Sequence, residues 1–298
     1  MTLRSCLRSM RLRTLPLSLA GIIAGTALAS TVVKLNVPTV IALALTTILL
    51  QILSNLSNEL GDTLHGTDTK ERQGMHYSIQ KGEMTVAQMK TLIGIIAVLC
   101  CVSGLAMVLL SFKDIFSVQA IALLALGAAA IWAAMHYTLG KNPYGYRGLG
   151  DVFVFIFFGL VSVLGAGFVC AHCLRWTWVL PASAVGCWSI GVLNVNNIRD
   201  MKTDAATRTT VALKLGLKNA RIYQVILVAA GWALMLGYNL ACATHWSQWI
   251  HFVTIPLFAL HLKAVWTKQD RALDPVLPML VMATFATSIL FALGIQAF

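Results

Sequence analysis

Apolar residues in this chain come in long runs rather than in alternation with polar ones. Nine such runs lie near 16–33, 37–57, 89–111, 117–138, 152–172, 177–197, 221–241, 247–266 and 277–296. Each approaches the roughly twenty residues that an α-helix needs to cross the hydrocarbon of a bilayer. A helix satisfies its backbone hydrogen bonds within itself, so helices are the viable spanning element for such runs. The pattern predicts an all-α fold: a polytopic membrane protein, a bundle of nine transmembrane helices formed by one domain over 1–298. The first run follows MTLRSCLRSMRLRT and superficially resembles a signal peptide. It is longer than a typical signal core and no clean cleavage site follows it, so it reads as a retained first span.

Composition strengthens that reading. Of 298 residues, 58% are hydrophobic and 11% charged, against about 25% charged in soluble domains. The mean hydropathy is +0.78. A length that would suggest two soluble domains is absorbed by a single bundle. Lysine and arginine total 22, and all but Lys34, Lys113 and Arg175 fall in segments on the same side as the N-terminus. The positive-inside rule then predicts a cytoplasmic N-terminus and an outer C-terminus. Of eleven acids, Asp114 alone falls on the outer side. Topology and attraction to anionic lipid account for the basic excess, and no nucleic-acid partner is expected. The chemistry is expected at the cytoplasmic side. The seven cysteines lie in or beside apolar runs and read as packing residues, with Cys170 and Cys173 forming a lone CxxC that no second pair completes.

Two polar stretches stand out. NLSNELGD, Asn55 to Asp62, ends the second run, and NVNNIRDMKTD, Asn194 to Asp204, ends the sixth. Asn58 and Asp62 are four apart and share a helix face with Asn55, as Asn196, Asp200 and Asp204 share another. Asp68 follows in the first loop. Four spans separate the stretches, as in a parallel internal repeat. Carboxylates at helix C-termini are disfavoured by the macrodipole, and two facing clusters compound the repulsion. A cation should compensate. Mg2+ takes hard oxygen ligands and often combines one or two carboxylates with substrate phosphates. The stretches therefore predict Mg2+, two or more ions, bound with a diphosphate in a central cavity open to the cytoplasmic side. The metal set is Asn58, Asp62, Asp68, Asn196, Asp200 and Asp204. Arg72 and Lys81 flank the first cluster and Arg199 and Arg208 the second, and such groups suit phosphate oxygens.

These residues resemble those of the UbiA superfamily of intramembrane aromatic prenyltransferases, and within it the 1,4-dihydroxy-2-naphthoate branch of menaquinone synthesis. The resemblance rests on RLRTLPLSLAGIIAGTALA, LLQILSNLSNELGDTLHGTD, YTLGKNPYGYRGLGDVFVFIFFG and LNVNNIRDMKTDAATRTTVALKLG, which span the chain in the family's order. Glu59 stands where the family commonly has Asp. The loop reads RQGMHYSIQKG where the family usually has a basic residue near Tyr77, and DAATRTTVALKLG lacks a glycine often found before its basic residue. The resemblance implies transfer of a polyprenyl group from polyprenyl diphosphate to 1,4-dihydroxy-2-naphthoate, with loss of CO2 and diphosphate, to give demethylmenaquinone. It implies a bacterial inner membrane location among lipid. Asp62, Asp200 and Asp204 would be the catalytic carboxylates. Arg72, Lys81, Arg199, Arg208 and Lys141 are candidate diphosphate contacts. Tyr137, Tyr144, Tyr146, Asp151 and Arg13 are candidates for the aromatic substrate or the carbocation. A 4-hydroxybenzoate or haem prenyltransferase would carry the same metal motifs. A cation-coupled transporter is the alternative of another class, although its acids usually lie near the midplane on broken helices.

Overall fold

The computed structural model describes residues 2–67 and 77–296. Among the described residues, nine helices are long and apolar enough to cross a membrane. They are α1 (Leu15–Ser30), α2 (Val37–Leu64), α3 (Val86–Ser111) and α4 (Val118–His136); α5 (Gly150–Ala171); α6 (Val179–Asp204) and α7 (Val211–Cys242); α8 (Trp246–Thr267); and α9 (Val276–Gln296). A short helix, Leu3–Ser9, precedes α1. No strand occurs among the described residues, and the one extended pairing is an isolated parallel bridge between Arg147 and Thr209. The all-helical membrane architecture expected from the apolar runs is therefore found.

Local signals set the starts. Asn36, Thr85 and Ser117 cap α2, α3 and α4 by accepting from the third backbone N–H of each helix, which satisfies an otherwise orphaned donor. Small residues then set the packing. In lipid, close backbone approach replaces the hydrophobic effect as the glue between helices. α1 lies between α5 and α9 and also touches α2 and α6. A Cβ on Gly25 would sit 2.3 Å from the Val163 carbonyl oxygen and 2.7 Å from the Ala166 Cβ. Gly159 of α5 and Gly186 of α6 meet so closely that a Cβ on the first would lie 2.6 Å from the Cα of the second. Two apolar cores flank this arrangement. One joins Ala24, Leu28, Trp178, Trp188, Phe258 and Phe291, and the other joins Leu53, Leu56 and Leu60 of α2 to Met89 and Leu92 of α3.

The helices outrun the apolar runs where the polar stretches begin. The second run suggests an end at 57 and the sixth an end at 197, yet α2 continues to Leu64 and α6 to Asp204. α7 begins at Val211, ten residues before its apolar run, and breaks at Gly216, whose φ of 74° is open to glycine at little cost. Hydropathy misses these extensions because they carry polar residues, which at the ends of α2 and α6 include buried Glu59, Asp62, Arg199, Asp200 and Asp204. Glu59 is fully buried, and its Oε1 accepts the Ile79 N–H at 2.9 Å. All seven cysteines are unbonded.

The α1–α5 contact yields a stability test. Gly25→Ala should destabilise the protein by about 1–3 kcal/mol through overpacking. Gly94→Ala, at an exposed α3 position with nothing within 4 Å of the new methyl, should instead stabilise by about 0.5–1 kcal/mol. Unfolding in detergent distinguishes the two, and equal effects would remove close packing at Gly25 as the reason.

Candidate active site

A cavity of about 400 Å³ runs into the bundle between α1, α2, α4, α5, α6 and α9. Most of its wall is apolar. Leu123, Leu126 and Gly127 of α4 face Phe158, Val161 and Gly165 of α5 across it. Its polar end is built by the two stretches. Asn58 and Asp62 of α2 and Asn196 and Arg199 of α6 line it, with Arg208 from the loop after α6.

Helix spacing explains the first set, and a glycine completes it. Asn58 and Asp62 project from one face of α2. Gly61 between them lets the end of α4 press in, since a Cβ there would lie 2.4 Å from Thr138 Oγ1. Thr138 donates to the Ser57 carbonyl at 2.9 Å and lies 3.4 Å from Asn58 Oδ1. That contact also brings Tyr137 into the cavity wall.

The second set is organised by arginines. Arg199 grips Asp200 with two parallel bonds, Nε to Oδ1 at 2.9 Å and Nη2 to Oδ2 at 2.6 Å. It also reaches Asn196 Oδ1 and, from the start of α9's approach, Asp274 Oδ1, each at 2.8 Å. Arg208 joins the two stretches: its Nη2 lies 2.7 Å from Asp204 Oδ2 and its Nη1 3.8 Å from Asp62 Oδ1. Burial alone would weaken the Arg208 charge, but Asp62 and Asp204 more than offset it and push its pKa upward. The guanidinium stays charged.

The α4–α5 loop closes over this end. Tyr146 donates to Asp62 Oδ1 at 2.8 Å, and the Arg147–Thr209 bridge ties its loop to the one carrying Arg208. Burial, reinforced by Asp62, pushes the Tyr146 phenol up. Burial likewise pushes Tyr137 up to about 12. Both stay neutral donors. Tyr144 stacks on Phe153 at 3.8 Å between centroids, and both line the cavity.

Of the residues singled out in the sequence, Asn58, Asp62, Asn196, Arg199, Arg208, Arg13, Tyr137 and Tyr144 line the cavity. Asp200, Asp204 and Tyr146 adjoin it through Arg199, Arg208 and Asp62. Lys81 and Lys141 are exposed and outside its lining. Asp151 is buried, accepts the Tyr223 hydroxyl at 3.0 Å, and does not line the cavity either. Asp68 and Arg72 lie outside the described residues. Arg11, Ser18, Gln51 and Thr138 also line the cavity, and motif spacing did not name them. Ser18, Gln51 and Thr138 are single polar residues within the first, second and fourth apolar runs, and Arg11 is one of several bases before the first.

The donor set suits Mg2+. It consists of hard carboxylate and amide oxygens, the ligands this ion prefers. Among the described residues of this network, four carboxylates, Asp62, Asp200, Asp204 and Asp274, outnumber two guanidiniums, Arg199 and Arg208, and such an acidic surplus suits a divalent cation. Among the described residues no three His, Cys, Asp or Glu groups form a metal cluster by themselves. Phosphate oxygens would have to complete the coordination, as is usual for Mg2+.

Residues 18–293 match the model of the UbiA prenyltransferase family. The chain is 40% identical to the 1,4-dihydroxy-2-naphthoate octaprenyltransferase of Escherichia coli (strain K12), over 97% of this chain and 94% of that one. Its fold is similar to the apo structure of a UbiA homolog from Aeropyrum pernix K1, with a TM-score of 0.71 at 17% identity, covering 96% of this chain and 98% of the other. It is also similar to a UbiA homolog from Archaeoglobus fulgidus bound to GPP and Mg2+, with a TM-score of 0.65 at 13% identity, covering 96% and 99%. The full-length match and the conjunction of nine helices with two facing Asn/Asp stretches place the chain in the UbiA prenyltransferase family.

Proposed function

We propose that the protein transfers a polyprenyl group from polyprenyl diphosphate to 1,4-dihydroxy-2-naphthoate, releasing diphosphate and CO2. The observation that carries this reading is the meeting of Asp62 and Asp204 on Arg208 at the polar end of an apolar cavity. Membership of the family and the 40% identity to a naphthoate octaprenyltransferase support the acceptor.

The residues divide the work by polarity. Asp62, Asp200 and Asp204, with Asn58 and Asn196, would hold Mg2+, whose charge neutralises the diphosphate as it leaves. Arg199 and Arg208 are fixed by their carboxylates before substrate arrives, so their remaining donors are preorganised for developing negative charge. Tyr146 holds Asp62 in place through its hydroxyl. The bond between the first prenyl carbon and the diphosphate oxygen breaks, and the oxygen keeps the electron pair. The remaining allylic cation faces Tyr137, Tyr144, Phe153 and Phe157, aromatic surfaces that attract positive charge. The apolar walls keep water from quenching it and take the prenyl chain. The electron-rich naphthoate ring then attacks at a C–H position, and that carbon releases its proton to restore aromaticity. The carboxylate leaves as CO2 with its bonding pair kept by the ring, and one proton returns to the vacated carbon, so no net proton is consumed. The product is the reduced form of demethylmenaquinone. The basic loops support an orientation with the site on the cytoplasmic face of a bacterial inner membrane.

Purified protein given Mg2+, polyprenyl diphosphate and a panel of aromatic acids should prenylate 1,4-dihydroxy-2-naphthoate with release of CO2. Turnover of 4-hydroxybenzoate alone would overturn the acceptor. EDTA should stop turnover and added Mg2+ restore it, and activity indifferent to chelation would end the metal assignment. Asp62→Asn should lower kcat by about 10²–10³-fold, the scale seen for losing one preorganised electrostatic contact. Tyr146→Phe, which keeps the ring and loses the bond to Asp62, should cost less. A near-normal rate for Asp62→Asn would remove that carboxylate from the chemistry. The exposed Cys173, at the end of α5 away from the polar stretches, should react with an impermeant maleimide added to intact spheroplasts. Labelling only after lysis would reverse the orientation.

A further inference from the structure

The approach to α1 carries a basic group outside the carboxylate network. Arg11 lines the cavity in a left-handed backbone conformation, φ 49° and ψ 52°. Such a conformation costs a side-chain-bearing residue about 1–2 kcal/mol, and it persists where the surroundings over-determine it. They do so here. Asn55 of α2 donates its amide to both the Met10 carbonyl and Thr14 Oγ1, each at 2.9 Å, and so straddles Arg11. The Arg11 carbonyl accepts the Thr14 N–H at 2.9 Å and its hydroxyl at 3.0 Å. Asn55 is oriented in turn by Gln51, whose amide donates to it at 3.1 Å, and Gln51 accepts from the Ser18 hydroxyl.

The side chain is fixed as firmly as the backbone. The Arg11 guanidinium carbon lies 3.8 Å from the centroid of the Tyr77 ring, and Arg13 donates to the Tyr77 hydroxyl at 3.3 Å. Yet Arg11 Nε and Nη2 are both buried without a hydrogen-bond partner. Leaving charged donors desolvated and unpaired is costly. Those two nitrogens form one edge of the planar fork. The same edge of Arg199 grips the Asp200 carboxylate at two points, so the chain itself displays what such an edge takes. Asn55, which anchors the Arg11 loop, lies two turns, about 10 Å, along α2 from Asp62. The Arg11 loop is therefore anchored apart from the carboxylates assigned to diphosphate.

We propose that Arg11 receives the carboxylate of the aromatic acceptor on its Nε–Nη2 edge and thereby selects for acids; this rests on the acceptor reading above. The loop Met10–Thr14, held by Asn55, then serves as the wall that orients the ring. The carboxylate is the group later lost, so the same edge positions the acceptor before its decarboxylation.

The test uses the purified full-length protein and two stable probes, 1-hydroxy-2-naphthoate and the carboxyl-free 1-naphthol. Arg11→Gln should weaken binding of the acid about tenfold to a hundredfold, the worth of a charged two-point contact, and leave 1-naphthol binding unchanged. Arg11→Lys, which keeps the charge and the stem over Tyr77 but loses the fork, should fall between. In turnover, KM for the naphthoate should rise while KM for polyprenyl diphosphate stays put. If Arg11→Gln does not fold, the lysine variant decides alone. Unaltered acid binding in the folded variants would overturn the proposal. So would a raised KM for polyprenyl diphosphate with unaltered acid binding, which would put Arg11 on the leaving group. A wild-type protein that binds no aromatic acid would overturn the acceptor reading itself, and this proposal with it.

Discussion

The structure depends on keeping buried like charges together. Asp62, Asp200 and Asp204 are 3%, 0% and 1% exposed, at helix ends whose dipoles disfavour them. Carboxylates so desolvated are costly and push the helices apart unless paired. Arg199 and Arg208 pair them. Each is covered by protein, and each reaches more than one carboxylate. The cost of desolvating these groups is offset only while α2, α6 and the loops between them stay in register. The helix packing, through Gly25, Gly61 and Gly159, is what maintains that register.

This explains why the α4–α5 loop and the loop after α6 are tied. Arg208 and Tyr146 approach Asp62 from different segments. The Thr209 N–H donates to the Tyr146 carbonyl at 3.0 Å, directly beside both side chains. A displacement of one loop therefore withdraws these two partners of Asp62 together. Asp62 and these two contacts behave as one unit rather than as three independent residues.

Much of this was legible in the sequence. The apolar runs gave the nine helices, because hydrocarbon admits few other solutions. The four-residue spacing of Asn58 with Asp62, and of Asn196, Asp200 and Asp204, announced shared faces. What spacing could not give was pairing across the fold. Arg208 reaches a carboxylate 146 positions earlier, and no local pattern encodes that. Glu59 sits inside the motif, yet it is buried against the Ile79 amide and does not line the cavity. Lys81 and Lys141 carry the right charge in the right loops but are exposed. Arg11 was one base among several in a run that topology already explained. Its difference lies in backbone conformation and in partners from α2, neither of which charge reveals.

The apolar half of the cavity poses a separate geometric problem, and α5 solves it with a local change of helix type. Its lining positions include Phe153, Phe157, Val161, Gly165 and Val169, a four-residue repeat sustained across sixteen residues. An ideal α-helix advances 3.6 residues per turn, so each such step drifts by about 40° and the first and last positions would differ by about 160°. They would face opposite sides. The segment Phe155–Val161 is π-helical, and a π turn takes in an additional residue and so cancels part of that drift. The widening occurs where Gly159 meets Gly186, which leaves α6 room to stay packed against it. A wall for a long flexible chain thus forms from one helix without a break in its backbone hydrogen bonding, which lipid would not tolerate.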